Sequence, residues 1–251
     1  MCLKSVIINS VPFLNPDSIV VIIPVLNEEI TIASVVHSLH RQGLRHIRVV
    51  DNGSRDRSAQ LAAKAGAEVV YEPIPGYGRA CWRGLQDMAD SIQWVLFCDG
   101  DGSDDVESLP RFLTLAAAGG DLVLGDRTAT PAGRAALTPV QRFGNALATT
   151  LIWWGWGYRY RDLGPLRLIR RVALESMQLR DRGFGWTVEI QVRAVECGLA
   201  IQELPVAYYP RRGGHSKISG TLRGSVRAGV IILSTLGQLY GRRLSRGFKV
   251  W

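Results

Sequence analysis

The sequence is short of the residues that build small metal and redox sites. Its 251 residues hold four cysteines: Cys2, Cys81, Cys98 and Cys197. No two form a CxxC pair, which excludes a dithiol motif and a secreted disulfide framework and fits a reducing compartment. The four histidines, His37, His40, His46 and His215, make no HExxH and no Cys/His cluster, so a structural zinc site is not expected. A GxxxxGK[ST] loop is absent. In the Gly76-Tyr-Gly78 stretch, Cys81 stands where a dinucleotide fingerprint needs its third glycine. Long apolar runs are missing too. The nearest, Ala228 to Tyr240, falls short of the ~20 residues of a spanning helix and is flanked by arginines. No basic–apolar–small pattern opens the sequence. The expectation is a cytoplasmic protein, at most peripheral at the cytoplasmic face of a membrane.

What is present is charge, unevenly placed. A hydrophobic fraction of 47% and a charged fraction of 21% are those of an ordinary globular chain, long enough for one sizeable α/β domain. The net charge is +8. Residues 1–125 hold 10 Lys/Arg and 15 Asp/Glu, a balance of −5, whereas residues 126–251 hold 20 and 7, a balance of +13. Eighteen of those 20 are Arg, whose planar fork suits phosphate or carboxylate. A half this basic implies an anionic partner: phosphates, nucleic acid or an anionic membrane face.

Along the chain, strand and helix patterns alternate. Ser18 to Pro24 is a short, β-branched apolar run, the pattern of a buried strand. Residues 28–42 carry Ile32, Val35, Val36 and Leu39 at helical spacing and stop at Gly43. Strands are predicted over 46–51, 68–72, 93–99 and 121–126, and helices over 58–65, 79–89 and 106–118. The alternation predicts a mostly parallel sheet covered on both faces. Beyond Arg127 come a polar loop (128–138), a helix over 139–154 and a strand over 166–170. A helix over 186–197 and a strand over 200–209 follow, the latter an edge candidate because Pro205 interrupts it. Residues 221–243 form an amphipathic tail helix. Three segments result: an extension (1–17), a core (18–217, its halves 18–127 and 128–217) and the tail (218–251).

Ligands of open parallel sheets bind beyond the carboxyl ends of the strands. Here those ends read Asn27-Glu-Glu29, Asp51-Asn-Gly-Ser54, Glu72, Asp99-Gly-Asp101 and Gly125-Asp-Arg127. Acids stand at all five. Asp99 and Asp101, one residue apart at the mouth of an apolar strand, suit a hard divalent cation that bridges a diphosphate; the same residues also suit an Asp-Gly turn. Asp51 suits a base or ribose, or the ordering of the Asn-Gly turn. Arg79, at a glycine-rich helix start, suits a phosphate.

In this order the motifs resemble those of family 2 glycosyltransferases with the GT-A fold, nearest the dolichol-phosphate mannose and glucose synthases. The resemblance runs from about Ser18 to Arg243. It implies that Pro24, Asn27, Glu29, Asp51, Arg79 and Gly100 line the donor nucleotide site. Asp99 and Asp101 would hold Mg²⁺ or Mn²⁺. Arg211 to Lys217 would form a loop closing over the diphosphate. Arg127, Arg142 and Asp162 would meet the acceptor, a polyprenyl phosphate, and Glu189 would face it. Inversion at the anomeric carbon is implied, with a homo-oligomer compatible and no nucleic acid as partner. One departure stands out: Gly102-Ser103 replaces the Leu-Gln that often follows the acid pair.

The chemistry of the residues agrees. A cation with Arg211 and Lys217 neutralises a departing diphosphate, with Asp101 and Arg127 in the catalytic constellation. A phosphate acceptor is already a nucleophile; a hydroxyl acceptor needs a base, for which Glu189 or Asp162 is the candidate. Trp153, Trp154 and Trp156 read as core or interface anchors, or, with the tail helix, as a membrane-surface element. Two other readings stay open: a sugar nucleotidyltransferase, and a basic anion- or membrane-binding module without catalysis.

Overall fold

Among the described residues, seven strands form one sheet: β1 (Ile19–Val25), β2 (His46–Asp51), β3 (Glu68–Tyr71), β4 (Trp94–Phe97), β5 (Leu122–Asp126), β6 (Arg167–Arg170) and β7 (Ile201–Pro205). The α-helices among the described residues are α1 (Ile32–Arg41), α2 (Ser58–Lys64), α3 (Tyr77–Gly84), α4 (Leu109–Ala117), α5 (Pro131–Ala136), α6 (Pro139–Trp156), α7 (Arg171–Ser176), α8 (Trp186–Glu196) and α9 (Leu222–Ser245). These elements come from a computed structural model, which describes residues 14–211 and 222–245, the side chains of α9 from Gly229 onward. Lys217, His215 and most of the terminal segments lie outside the described residues.

The strand order is β3-β2-β1-β4-β6-β5-β7. β1 pairs in parallel with β2 and β4, β2 with β3, and β5 with β7. β6 is antiparallel to both its neighbours, β4 and β5. Two reversals restore the direction, so the carboxyl ends of β1 to β5 share one edge. The sheet is mostly parallel and flanked by helices, as the alternation predicts, and β7 lies at an edge. The sequence pattern did not reveal that β6, from the second half of the chain, slots between two strands of the first.

Alternation along β1 divides the core. Ile19, Val21, Ile23 and Val25 pack on the face covered by Ile32, Val35, Val36 and Leu39 of α1 and by α4. Val20 and Ile22 pack on the other face, with α3, α6, α8 and α9. Period 2 in a strand sends neighbours to opposite faces, and each fully buried aliphatic side chain contributes about 1.5–3 kcal/mol. Pro24 is tolerated in this central strand because the β1–β4 ladder stops at Ile22 opposite Phe97. Even-numbered residues of β1 turn their amides toward β4, and at Pro24 no partner remains there to need one.

Several boundaries differ from the pattern-based ones. The predicted polar loop 128–138 contains α5, begun by Thr130, whose Oγ1 accepts from Gly133 N, with Pro131 in the first turn. α7 was not predicted. The first helix begins at Ile32 rather than 28, and the third spans 77–84 rather than 79–89. The last strand stops at Pro205. α6 is longer than predicted: Thr138 and Gln141 form a capping box at its start and Gly157, at φ 77°, ends it.

Candidate active site

The turn after β1 is held by the turn after β2. Asn27 adopts a left-handed φ of 54°, which Asn tolerates better than most residues. Its amide donates to Ser54 Oγ at 2.9 Å, and its Oδ1 accepts from Arg55 N at 2.7 Å. Glu29 turns outward to Arg57, 3.1 Å away. Its neighbour Glu28 is buried and turns inward. Asp51 is buried at the end of β2, where its Oδ1 accepts from Ser54 N. Asn52 pins the next loop: it donates to the carbonyls of Glu72 and Ile74 and accepts from Gly76 N.

At the end of β4, Gly100 lies under the end of β1, and Thr31 Oγ1 donates to its carbonyl at 2.8 Å. A Cβ there would stand 3.0 Å from Val25 Cγ2. Glycine therefore lets the chain cross close to β1, with Asp99 and Asp101 on either side. Asp101 is buried, and its Oδ1 accepts from Ser103 N. Tyr77 donates its hydroxyl to Asp99 Oδ1 at 3.3 Å, and Asp104 Oδ2 accepts from Asp99 N. Burial, and then the Asp101 carboxylate, push the Asp99 carboxyl up to about 7, against the pull of Arg127 and Arg211.

Arg211 closes this cluster. Its Nη1 lies 2.8 Å from Glu28 Oε1 and its Nη2 lies 2.8 Å from Asp101 Oδ2. Three contacts deliver it: an isolated bridge between Asp104 and Tyr208, Tyr209 N donating to Ser103 O, and Ala207 N donating to Asp105 Oδ2. Asp104 and Asp105 are thus used to stitch the segment after β7 onto the loop after β4. A guanidinium lying across two carboxylates stands in for a cation, so this is a place where positive charge is stabilised. Among the described residues no group of three or more His, Cys, Asp or Glu side chains could cage a metal. Asp99 and Asp101 fit the other arrangement of hard cations, in which one or two carboxylates share the ion with substrate phosphates and water.

At the end of β5, Arg127 makes a forked pair with Asp162: Nε to Oδ2 at 2.7 Å and Nη2 to Oδ1 at 2.9 Å, with the Arg127 amide also donating to Oδ2. Its guanidinium lies over the Tyr208 ring, 4.9 Å from the centroid. Burial alone would lower the Arg127 pKa, and Asp162 outweighs that and raises it. Arg142 is exposed on the first turn of α6 and is not joined to this pair.

Glu189 is not the solvated acid that an amphipathic helix would present. It is buried in α8, and its Oε2 accepts from the amides of Arg180 and Asp181 at 2.8 and 2.7 Å. Both candidate bases are therefore engaged, Asp162 by a guanidinium and Glu189 by two amides.

The phosphate cradle expected at the start of α3 is not open. Gly78 N donates to Gly183 O and Arg79 N to Arg182 O. A Cβ on Gly76 would stand 2.6 Å from Arg182 O, and one on Gly78 would stand 2.8 Å from Arg182 C. These glycines admit the 182–183 backbone, not a ligand, which leaves a phosphate only the half-buried Arg79 side chain.

The geometry is that of a sheet edge collecting acids and arginines around one acid pair, and comparison with known proteins gives it a family. The Glycosyl transferase family 2 model matches residues 20–184. The chain belongs to glycosyl transferase family 2. This family 2 glycosyltransferase is 40% identical over 216 residues to an uncharacterized glycosyltransferase of Mycobacterium tuberculosis, covering 84% of this chain and 94% of the relative. It is 31% identical over 200 residues to the dolichyl-phosphate hexose transferase of Haloferax volcanii, covering 78% and 85%. Its fold matches M. tuberculosis glucosyl-3-phosphoglycerate synthase, solved with Mn²⁺, UDP and glucosyl-3-phosphoglycerate. The TM-score is 0.71 at 24% identity, covering 89% of this chain and 80% of that one. Membership sets aside the nucleotidyltransferase and the non-catalytic module.

In this glycosyltransferase three residues at the site escaped the sequence reading: Glu28, Asn52 and Tyr77. Glu28 and Glu29 are adjacent acids, and nothing local says which one turns inward. Asn52 and Tyr77 lie inside motifs already singled out, but their partners are 20 to 24 residues away.

Proposed function

We propose that this glycosyltransferase moves a hexose from a nucleotide-diphosphate sugar, of the UDP-glucose or GDP-mannose type, to a polyprenyl phosphate with inversion. The observation that carries the reading is the cation-like lodging of Arg211 across Glu28 and Asp101, beside Asp99. This is a site built for positive charge where a diphosphate would depart. Asp99 and Asp101 would hold Mg²⁺ or Mn²⁺, and that ion supplies stabilisation of the charge that develops on the leaving diphosphate. Arg211 adds a second positive group once it releases its carboxylates. Asn27, Glu28 and Asp51 shape the nucleoside end, where buried acceptors meet a base or ribose.

The choice of a phosphate acceptor rests on what the acids are already doing. A hydroxyl nucleophile needs a carboxylate to take its proton, and both Asp162 and Glu189 are engaged. A phosphate oxygen needs no base, only a positive group to position it. Arg127, with Nη1 outside its fork to Asp162, would do that, and Arg142 is the second candidate. Peripheral contact with the cytoplasmic face of a membrane goes with such an acceptor. The dolichyl-phosphate hexose transferase supports this reading; the glucosyl-3-phosphoglycerate synthase supports a small phosphorylated acid as the second.

The test is a transfer assay with UDP-glucose and GDP-mannose against a polyprenyl phosphate and 3-phosphoglycerate, with and without Mn²⁺. Metal-dependent glycosylation of the prenyl phosphate is expected. Glycosylation of phosphoglycerate alone would replace the lipid acceptor with the soluble one.

A further inference from the structure

α6 and α9 pack side by side. The Trp156 and Tyr240 rings meet edge-on, their centroids 4.6 Å apart, and Tyr240 donates its hydroxyl to the Leu151 carbonyl. Gly155 leaves room for that ring, since a Cβ there would stand 2.5 Å from it. Ala148, Ile152 and Trp156 of α6 and Leu236 and Leu239 of α9 face the core. Among the described residues no helix is long and apolar enough to cross a membrane.

The outer face of this pair is not polar. On α6, Val140, Phe143, Leu147, Leu151 and Trp154 follow at intervals of three and four, one narrow stripe on a 3.6-residue helix. Phe143 is 70% exposed and Trp154 71%. On α9, Val230, Leu233, Gly237, Gly241 and Leu244 repeat the same intervals, and the three aliphatic residues are exposed. At about 100° per residue both stripes border the seam that Tyr240 fills, so they form one face. Exposed apolar surface on this scale marks an interaction site.

Charge identifies the partner. The 35 residues from Arg127 to Arg161 contain no Asp or Glu, and neither do the 48 from Leu204 to Trp251, although the chain has 22 acids. Both helices lie inside these acid-free stretches. Arg142, Arg159 and Arg242 are exposed on or beside them. An interface between copies needs apolar complementarity, but it does not need every acid removed from two helices distant in sequence. A layer of lipid phosphates does, because each acid near it is repelled and each arginine attracted.

We infer that the α6/α9 face docks on a leaflet containing anionic lipids. Phe143, Trp154 and Leu244 enter the boundary between headgroups and acyl chains while the arginines meet the phosphates. This deepens the proposed function and rests on it for its purpose, not for its geometry. α6 is also tied to the acceptor side of the site: Asn145 Oδ1 accepts from Leu163 N and its Nδ2 donates to Arg161 O, on either side of the Asp162 that grips Arg127.

The test is flotation of the full chain with phosphatidylcholine vesicles, with and without phosphatidylglycerol, for the wild type and the Phe143→Ser/Trp154→Ser variant. The wild type is expected to float only with anionic vesicles, and the variant to lose at least about tenfold in partitioning at unchanged melting temperature and nucleotide affinity. A wild type that stays at the bottom of the gradient, or a variant that floats equally well, overturns the inference. So does a dimer, seen by ultracentrifugation, that the variant dissociates. Transfer to a short, water-soluble prenyl phosphate separates the two readings. If transfer persists without flotation, the docking surface alone falls. If flotation holds without transfer, the acceptor reading falls and the surface stands.

Discussion

The guanidinium of Arg211 lies 2.8 Å from Asp101 Oδ2, and its other terminal nitrogen lies equally near Glu28 Oε1. One arginine thus neutralises acids from the ends of two strands, in the place where a cation and a diphosphate are proposed to sit. The same group cannot hold the carboxylates and the diphosphate at once, so the two states compete.

Arg211→Gln should therefore separate two effects. Without nucleotide, Mn²⁺ should bind the variant more tightly, because no guanidinium has to be displaced. With metal present, the nucleoside diphosphate should bind more weakly. The metal-free fold should lose about 1–2 kcal/mol, a value reduced for the partial exposure of the pair. Calorimetric titrations of metal and nucleotide, alone and together, check this; equal affinities in both proteins would remove Arg211 from the competition.

Asp101→Asn should lower kcat by roughly 10²–10³-fold at saturating metal, as for the loss of one group that stabilises developing charge. The fold should survive, since Asn keeps an oxygen for Ser103 N. The readouts are kcat and circular dichroism on the same sample.

The raised carboxyl of Asp99 predicts a pH dependence with a definite sign. Between its ordinary range near 4 and about 7, the folded metal-free protein holds a proton that the unfolded chain has released. Stability should therefore fall as pH rises from about 4 to about 7, and Asp104, also pushed up by burial and by Asp99, acts in the same direction. Added Mn²⁺ should reverse the trend at the alkaline end and do little at pH 5. Melting curves across that range with and without Mn²⁺ measure it, and a metal-free melting temperature that rises with pH would contradict it.

Arg127→Met should be costly because it strands Asp162, which is only 1% exposed. Removing one partner of such a pair costs about 3–5 kcal/mol. Adding Asp162→Asn should restore much of that, since the amide oxygen can still accept from the backbone. Denaturant unfolding of the two variants gives the difference. If Arg127 positions the acceptor, the double variant should regain stability but not its acceptor KM.

Gly78→Ala should destabilise by about 1–3 kcal/mol, because its methyl meets backbone atoms that cannot rotate away. An open phosphate loop would accept alanine with no change in melting temperature.

The linear sequence determined the layers, the alternation of elements and the acids at the strand ends. These follow from local periodicity, because an alternating or 3.6-residue pattern commits a segment to one face whatever lies far away. Asp99 and Asp101 were legible for the same reason: one residue apart, they need only their own strand to meet. The tertiary structure alone decided the pairings. Arg127 finds Asp162 across 35 residues and Arg211 finds Glu28 across 183, and no local pattern encodes such partners. It also decided that Glu28 rather than Glu29 turns inward, that Glu189 is buried under two amides, and that Gly76 and Gly78 at the start of α3 admit backbone instead of phosphate. Each depends on what another part of the chain brings within about 3 Å, a distance set by packing and by the demand that buried polar groups be satisfied.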